Sequence, residues 1–293
     1  MRHPTGQPAR QPTRHSRHSR HSRILLPAVL AAALIATACG TGQDEPSGPL
    51  PPRPEGPDLM WSGDLETGDL SQFKDTPWNV TRGGSEPEIV SDPQFVREGR
   101  YAVKISIPTG ETDDKDGACC DPRAEIEPNI SDIRDGDDLW FGFSTMLASD
   151  FPVNDEWQVI TQWKSRVDGS PPVSLNVERG AYLLAGGAGH PDEEQPFVKE
   201  LAPAVPGQWS DWVVHIAFSP DPRKGYVEVW QNGTPVLERY SPPGGTMYPA
   251  EKGEDAESYL KTGYYRNGDI TAPGVVYFDS WRVGRTRDAV ALT

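Results

Sequence analysis

The chain has 293 residues, 35% of them hydrophobic, and contains 30 prolines, 29 glycines and three cysteines. This composition is typical of a loop-rich β protein rather than a helical one. The formal net charge is −15, and a surface of that sign repels polyanions at long range, which argues against nucleic acid and against densely sulfated glycans as partners.

The N-terminal segment, residues 1–38, is predicted to be an export signal. Residues 1–23 are basic, and the apolar run from Ile24 to Ala38 is too short for a comfortable membrane span. Cys39 follows directly, and this order resembles a bacterial lipoprotein signal, in which the cysteine is lipidated and becomes the first mature residue. Ala36 departs from that pattern, which prefers leucine there. The alternative is an ordinary secretory signal cut near Ala38, and both interpretations place the mature protein outside the cytoplasm.

Residues 39–57 are rich in proline and glycine and poor in apolar side chains, so we expect a tether between the lipid anchor and the rest of the chain. Residues 58–293 then form one β domain, expected to be monomeric and to touch the membrane only through that anchor. Without the six arginines of the leader, 22 basic residues stand against 43 acidic ones, a net charge of −21. This balance favours a carboxylated, weakly sulfated or unsulfated polymer as the substrate.

Apolar and polar residues alternate in successive segments of the domain, whereas convincing helical periodicity is absent. These segments are, in chain order, "YAVKISI" from Tyr101, "EWQVITQWK" from Glu156, "DWVVHIAFS" from Asp211, "GYVEVWQNGTPVLE" from Gly225 and "GVVYFDSWRVG" from Gly274. The dipeptide Asn232-Gly233 predicts a tight hairpin, because both residues tolerate positive φ. Many strands in one domain predict an all-β fold of two stacked antiparallel sheets, with a concave polar face suited to a linear polymer.

Two adjacent cysteines, Cys119 and Cys120, remain in the predicted domain. They could form a strained vicinal disulfide or stay reduced, and their spacing does not suit a zinc site.

Three short segments place polar side chains at i, i+2 spacing, so that each set shares one face of its strand. The first face holds Arg123, Glu125 and Glu127 of "PRAEIEP". The second holds Gln158, Gln162 and Lys164, opposite Trp157 and Val159. The third holds Tyr259, Lys261 and Tyr265 of "YLKTGYYR", with Gly263 predicted to leave open space between them.

These segments resemble known strands of polysaccharide lyases. "YLKTGYYR" is similar to the tyrosine strand of jelly-roll alginate lyases, and "PRAEIEP" and "TQWK" resemble the Arg-x-Glu and Gln-x-His strands of that superfamily. The opening "DLMWSGDLETGDLSQF", the "QWK" strand and the ending "VVYFDSWRVG" are more similar to the heparin lyase I and glucuronan lyase relatives. The resemblance implies a concanavalin-like β-jelly roll that cleaves a uronic-acid polysaccharide by β-elimination.

The resemblance also implies roles for individual residues. Arg123 and Gln162 would neutralise the uronate carboxylate, and Tyr265 would act as base and acid in a syn elimination. We expect Lys261 to supply the cation that lowers the pKa of Tyr265. Lys164 stands where most relatives carry histidine, so it could neutralise the uronate or, if desolvated, act as the base.

Further residues complete the predicted site. Glu125, Gln158, Tyr259, Lys261 and His190 are expected to contact substrate, with His190 as an alternative base. The resemblance further implies a structural Ca²⁺ between Glu66 of the first strand and Asp279 of the last. No organic cofactor is expected.

Two other functions compete with this hypothesis. A lectin-like jelly-roll module would bind glycan in the same groove without cleaving it, and the missing histidine favours it. A glycoside hydrolase would need two carboxylates across the groove, whereas Glu125 and Glu127 lie only about 7 Å apart along one strand. His215, on an alternating apolar strand, is predicted to be structural.

Overall fold

The computed structural model describes residues 58–74, 81–82, 84–109, 121–167, 169–250 and 255–292. The predicted signal, the tether, Cys39 and the pair Cys119 and Cys120 lie outside these residues. Among the residues within them, no helix is long and apolar enough to cross a membrane.

Two antiparallel sheets of eight strands each make up the fold. One sheet, here called the back sheet, has the spatial order β14 (Thr234–Tyr240), β13 (Tyr226–Gln231), β12 (Trp209–Ala217), β7 (Asp138–Leu147), β16 (Gly274–Gly284), β4 (Ala102–Ile107) and β3 (Glu88–Val90), with β1 (Leu59–Gly63) also paired to β16. The other, here called the groove sheet, has the order β11 (Phe197–Pro203), β10 (Ala181–Gly186), β9 (Val173–Glu178), β8 (Gln158–Ser165), β15 (Glu257–Arg266), β5 (Arg123–Ile126) and β2 (Thr81–Arg82), with β6 (Ile133–Arg134) paired to β15. Two short 3-10 helices span Pro93–Phe95 and Asp288–Val290. The predicted all-β jelly-roll class is confirmed.

The core lies between the two sheets and is built from alternate residues of each strand. In β4, Val103, Ile105 and Ile107 are buried, as the period-two pattern predicts. Three tryptophans, Trp163, Trp212 and Trp281, are fully buried. Burial of an aromatic side chain of this size stabilises a fold by roughly 4–6 kcal/mol before the cost in conformational entropy. These anchors fix which face of each strand is left for function.

The predicted hairpin is present. β13 and β14 pair directly, and the turn residues Asn232 and Gly233 have φ of 49° and 76°. Glycine takes such angles without steric cost, and asparagine does so more readily than most residues, so the sequence signal and the backbone agree.

A register shift interrupts the alternation at the centre of the groove sheet. β15 pairs Thr262 with Thr161 and Tyr265 with Val159, which is three steps along β15 against two along β8. Such a bulge turns the residues on one side of it to the opposite face. On one side of the bulge the odd-numbered Val159 faces the groove, whereas on the other the even-numbered Gln162 and Lys164 do. Ile160 and Trp163 lie in the core.

The shift makes the prediction for Gln158 wrong. Gln158 is fully buried, accepts a hydrogen bond at 2.5 Å from the Tyr264 hydroxyl and donates one at 2.8 Å to the Pro152 carbonyl. Trp157 and Val159, expected on the face opposite Gln162, lie on the groove side instead. Because the alternation of polar residues continues through the segment, the sequence pattern gives no sign of the bulge.

Gly263 is needed for strand packing rather than for open space. Its φ is 153°, and an added Cβ would lie 2.2 Å from the Ala124 carbonyl oxygen and 2.7 Å from the Glu125 Cα. The prediction that Gly263 opens the groove is therefore wrong. Instead, this glycine lets β5 approach β15 closely enough to place Arg123 opposite Tyr265.

His215 has a structural environment, as expected. Its two ring nitrogens lie 2.7 Å from a Glu228 oxygen and 2.5 Å from an Asp138 oxygen, and its ring stacks on Trp140 with centroids 3.9 Å apart. All four residues belong to the back sheet, remote in topology from the groove sheet.

Candidate active site

A cavity of about 600 Å³ lies over the concave face of the groove sheet. Four of the predicted catalytic side chains line it, namely Arg123, Gln162, Lys164 and Tyr265. They come from β5, β8 and β15, which are neighbours in the sheet, so three segments far apart in sequence present their polar faces to one space. The fold thus brings the predicted catalytic group together.

Tyr265 lies between a cation and an indole. The guanidinium carbon of Arg123 is 3.8 Å from the centroid of the tyrosine ring, and the Trp157 ring meets it edge-on at 4.9 Å. Burial raises the pKa of Tyr265 above its usual value of 10.0, and the positive charge of Arg123 opposes that rise. Arg123, rather than the expected Lys261, is therefore the cation that contacts Tyr265 and acts to lower its pKa.

Glu125 connects Gln162 with the cations of the site. Its Oε1 accepts a 2.5 Å hydrogen bond from the Gln162 side-chain amide. Its Oε2 is buried without a hydrogen-bond partner and lies 3.9 Å from both Arg123 Nη1 and Lys261 Nζ. Glu125 thus orients the amide of Gln162 and lies between two cations, Arg123, which lines the cavity, and Lys261, which does not.

Lys164 lines the cavity, but its ammonium is held by the backbone. The Nζ atom donates to the carbonyl oxygens of Ser165 at 3.0 Å and Val167 at 2.5 Å. Two of the ammonium hydrogens are thus engaged with backbone carbonyls, so this geometry favours a positioning role over that of a base.

Tyr259 and Lys261 share the face of Tyr265 but do not line the cavity. The Tyr259 ring lies 4.2 Å from the Arg166 guanidinium and 5.6 Å from the Lys261 ammonium. Burial raises the pKa of Tyr259 to about 12, so its hydroxyl stays protonated near neutral pH. These two residues extend the polar face along β15 beyond Tyr265.

His190 is not among the residues that line the cavity. Its ring packs edge-on against Tyr248 with centroids 5.2 Å apart, and its Nδ1 accepts a hydrogen bond from the backbone N–H of Asp192. The alternative of His190 as the base has no geometric support.

The predicted calcium ligands both contact residues 97–101. Asp279 accepts hydrogen bonds from the backbone N–H groups of Arg97 and Glu98, and Glu66 accepts them from Arg100 and Tyr101. Burial raises the pKa of Asp279 to about 7. The pair thus anchors this segment, and across the described ranges no three metal-ligating Asp, Glu, His or Cys side chains cluster together. The carboxylates of Glu66 and Asp279 therefore fit the role of anchoring residues 97–101 better than that of holding a metal ion.

Several residues of the cavity lie outside the motifs that the sequence offered. Trp157 and Val159 reach it only because of the bulge, and Asn176 and Glu178 reach it from β9. The pattern of "VSLNVE" does place Asn176 and Glu178 on one face of a strand, but nothing in a single sequence tells that β9 lies next to β8.

Comparison with a protein-family model and with solved structures relates the chain to polysaccharide lyases. A family model described as "Polysaccharide lyase" matches residues 65–282. The structure is similar to that of endo-β-1,4-glucuronan lyase from the fungus Trichoderma reesei, with a TM-score of 0.58 and 18% identity over 79% of this chain and 98% of that chain. It is also similar to the cellulose-induced protein Cip1, with a TM-score of 0.50 and 11% identity over 77% and 97% of the two chains. Family 7 alginate lyase A1-II′ follows with a TM-score of 0.48 and 12% identity over 67% and 80%. No curated protein sequence matches the chain.

Proposed function

Because the chain belongs to the polysaccharide lyase family, we propose that it cleaves a uronic-acid-containing polysaccharide by syn β-elimination, with Tyr265 as both the base and the acid. The observation that carries this proposal is the convergence of Arg123, Gln162 and Tyr265, from three neighbouring strands, on one cavity.

The reaction removes a proton that lies next to a negative charge. The C5 hydrogen of a uronate is adjacent to its carboxylate, so taking it as a proton adds charge to an anion. Arg123 supplies a positive charge and Gln162 an amide N–H to that carboxylate, and both interactions strengthen as the charge develops. Gln162 needs no reorientation for this task, since Glu125 already holds its amide.

In this step Tyr265 alone takes the proton from C5 and returns it to the leaving oxygen. The Tyr265 phenolate takes the C5 proton, and the electron pair left on C5 forms the double bond between C4 and C5. The bond from C4 to the glycosidic oxygen breaks, and this oxygen takes the proton from Tyr265, which returns to phenolate. The products are an unsaturated uronate at one new end and a free hydroxyl at the other.

The contacts of the other candidate bases support this assignment. Lys164 is held by two backbone carbonyls, and His190 packs against Tyr248 away from the cavity lining. Tyr265 faces the cavity and lies within contact of a cation that favours its ionised form.

Uronans incubated with the purified domain, and followed by the ultraviolet absorbance of the unsaturated product, test the proposal. Tyr265→Phe is expected to keep glycan binding and to lose turnover, with Tyr259→Phe as the matched control on the same strand face. Binding without product in the wild type would favour a lectin-like module. New reducing ends without ultraviolet absorbance would instead indicate hydrolysis.

We also propose that the protein is exported and held at the membrane by lipid on Cys39. The order of basic head, apolar run and cysteine supports this proposal. Mass spectrometry of the mature N-terminus would detect the lipid, and Cys39→Ala is expected to move the protein from the membrane fraction to the medium. Recovery of an unmodified chain beginning at Cys39 or beyond would overturn the anchor.

A further inference from the structure

The distribution of charge along the cavity points to the repeating unit of the substrate. We infer, building on the proposed function, that the sugar next to the cleaved uronate on the β9 side is uncharged, so that the substrate alternates uronate with neutral sugar. Three observations carry this inference.

The first observation is a row of side chains across four strands. Arg123 pairs with Tyr265, Tyr265 with Val159, and Val159 with Asn176. Adjacent strands lie about 4.8 Å apart, so Asn176 is roughly 10 Å from Tyr265 along this row. A polymer that crosses the strands therefore places its reacting uronate near Tyr265 and a neighbouring sugar near Asn176.

The second observation is that, among the described side chains, the cation of the row lies at its Tyr265 end. Arg123 lines the cavity beside Tyr265, whereas Lys164 lines it outside the row, five residues along β8 from Val159, and Lys261 contacts Glu125. Over β9, β10 and β11 the described lining is neutral except for Glu178. A second carboxylate on that side would meet no cation of the described cavity lining and would face the Glu178 carboxylate, an unfavourable placement for either charge.

The third observation is an acceptor that needs a donor. Asn176 is 8% exposed, and its Oδ1 is buried without a hydrogen-bond partner. A buried carbonyl oxygen can be satisfied by a hydroxyl or an N–H group, both of which a neutral or N-acetylated sugar carries. An ionised carboxylate carries no hydrogen to donate, so the group that faces the Asn176 Oδ1 is a hydroxyl or N–H group and not a second carboxylate.

Glu178 also favours an uncharged sugar on the β9 side of the cavity. It is two residues from Asn176 on the same strand face and lines the cavity, while its carboxylate also pairs with the exposed side chain of Arg179. A carboxylate accepts hydrogen bonds from hydroxyl groups and repels other carboxylates. The β9 side of the cavity thus offers two acceptors, the Asn176 Oδ1 and the Glu178 carboxylate, to the hydroxyl groups of a sugar ring.

The test compares two groups of polymers on the wild-type domain. Hyaluronan, unsulfated chondroitin and heparosan alternate glucuronate with a neutral N-acetylated sugar, whereas glucuronan, alginate and polygalacturonate are homopolymers of uronates. We expect kcat/KM on the best alternating polymer to exceed that on the best homopolymer by about tenfold or more. A homopolymer as the best substrate overturns the inference and leaves the proposed lyase activity intact. Elimination on none of the six contradicts the proposed function itself, and the inference falls with it.

Charge reversal at one position sharpens the test. Glu178→Lys is expected to raise kcat/KM on homopolymers about tenfold and not on alternating polymers, because it places a cation where a second carboxylate would lie. Glu238→Lys, exposed on the back sheet, is the matched control for the change in net charge. An equal response to the two substitutions would mean that only the global charge acts, and would overturn the inference. Asn176→Leu removes the acceptor and is expected to lower kcat/KM on alternating polymers by about tenfold.

Discussion

Removal of the Arg123 cation beside Tyr265 should move the pH dependence of the proposed reaction. In the proposed mechanism the rate follows the phenolate fraction of Tyr265, whose pKa is raised above 10.0 by burial. Below that pKa the phenolate fraction rises tenfold with each pH unit, so we expect turnover to climb through neutral and into alkaline pH.

Arg123→Met tests this dependence, since methionine keeps the length of the side chain and removes the charge. The guanidinium carbon is 3.8 Å from the ring centroid, which places the charge about 5 Å from the phenolate oxygen. At an effective dielectric constant of 20, two charges at this distance interact by about 3 kcal/mol, or about a hundredfold in the phenolate fraction at a given pH. Partial exposure to solvent reduces this, and we expect the kcat profile to move up by about one to two pH units.

The assay measures kcat at saturating substrate across the pH range, so that weaker binding of the uronate does not enter. Lys261→Met is the matched control, because Lys261 contacts Glu125 rather than the Tyr265 ring, and its profile should keep its position. If Arg123→Met raises KM but leaves the profile in place, Arg123 only binds the carboxylate. The link from its charge to the tyrosine would then be refuted.

Further predictions concern neighbouring parts of the structure. Lys164→His should extend activity towards neutral pH, since imidazole titrates near 6.5 and can act as a base; a profile identical to wild type would show that position 164 takes no part in proton transfer. Tyr264→Phe leaves the buried Gln158 oxygen without its donor and should lower the free energy of unfolding by about 1–3 kcal/mol in urea denaturation, with no change expected if water replaces the hydroxyl. The raised pKa of Asp279, about 7, means that the folded state holds this proton more tightly than the unfolded one, so stability falls as pH rises from about 4 to about 7. Over that range the free energy of unfolding of the wild type should decline by a few kcal/mol relative to that of Asp279→Asn. If the two proteins depend on pH in the same way, burial does not raise the pKa of Asp279. Because Glu66 and Asp279 anchor residues 97–101, we expect EDTA to leave Tm unchanged, and a Tm lowered by several degrees would instead indicate a structural calcium ion between them.

The fold class and the four predicted catalytic residues that line the cavity could be predicted from the sequence, because both depend on patterns within single strands. Period-two alternation fixes which face of β4 or β15 is apolar, and the motifs around Arg123, Gln162 and Tyr265 carry their facing with them. The Asn232-Gly233 turn is predictable for the same reason, since two adjacent residues determine it.

Other features depend on how strands pair, which a single sequence does not encode locally. Gln158 looked like a groove residue, but the bulge between β8 and β15 turns it to the core, where the Tyr264 hydroxyl meets it. Lys261 looked like the nearest cation to Tyr265 because both lie on one strand, yet Arg123 reaches the ring from the adjacent strand. Cross-strand neighbours are closer than residues four apart along a strand, so pairing decides the electrostatics.

Trp157, whose indole packs against Tyr265, can also serve as an intrinsic fluorescent probe of the groove. Trp157 is half-buried in the cavity wall, whereas Trp163, Trp212 and Trp281 are sealed in the core and should emit a constant background. A sugar ring that displaces water from Trp157 would shift its fluorescence in unlabelled protein. Occupancy of the groove could thus be followed in real time on an inactive variant, separately from the appearance of product.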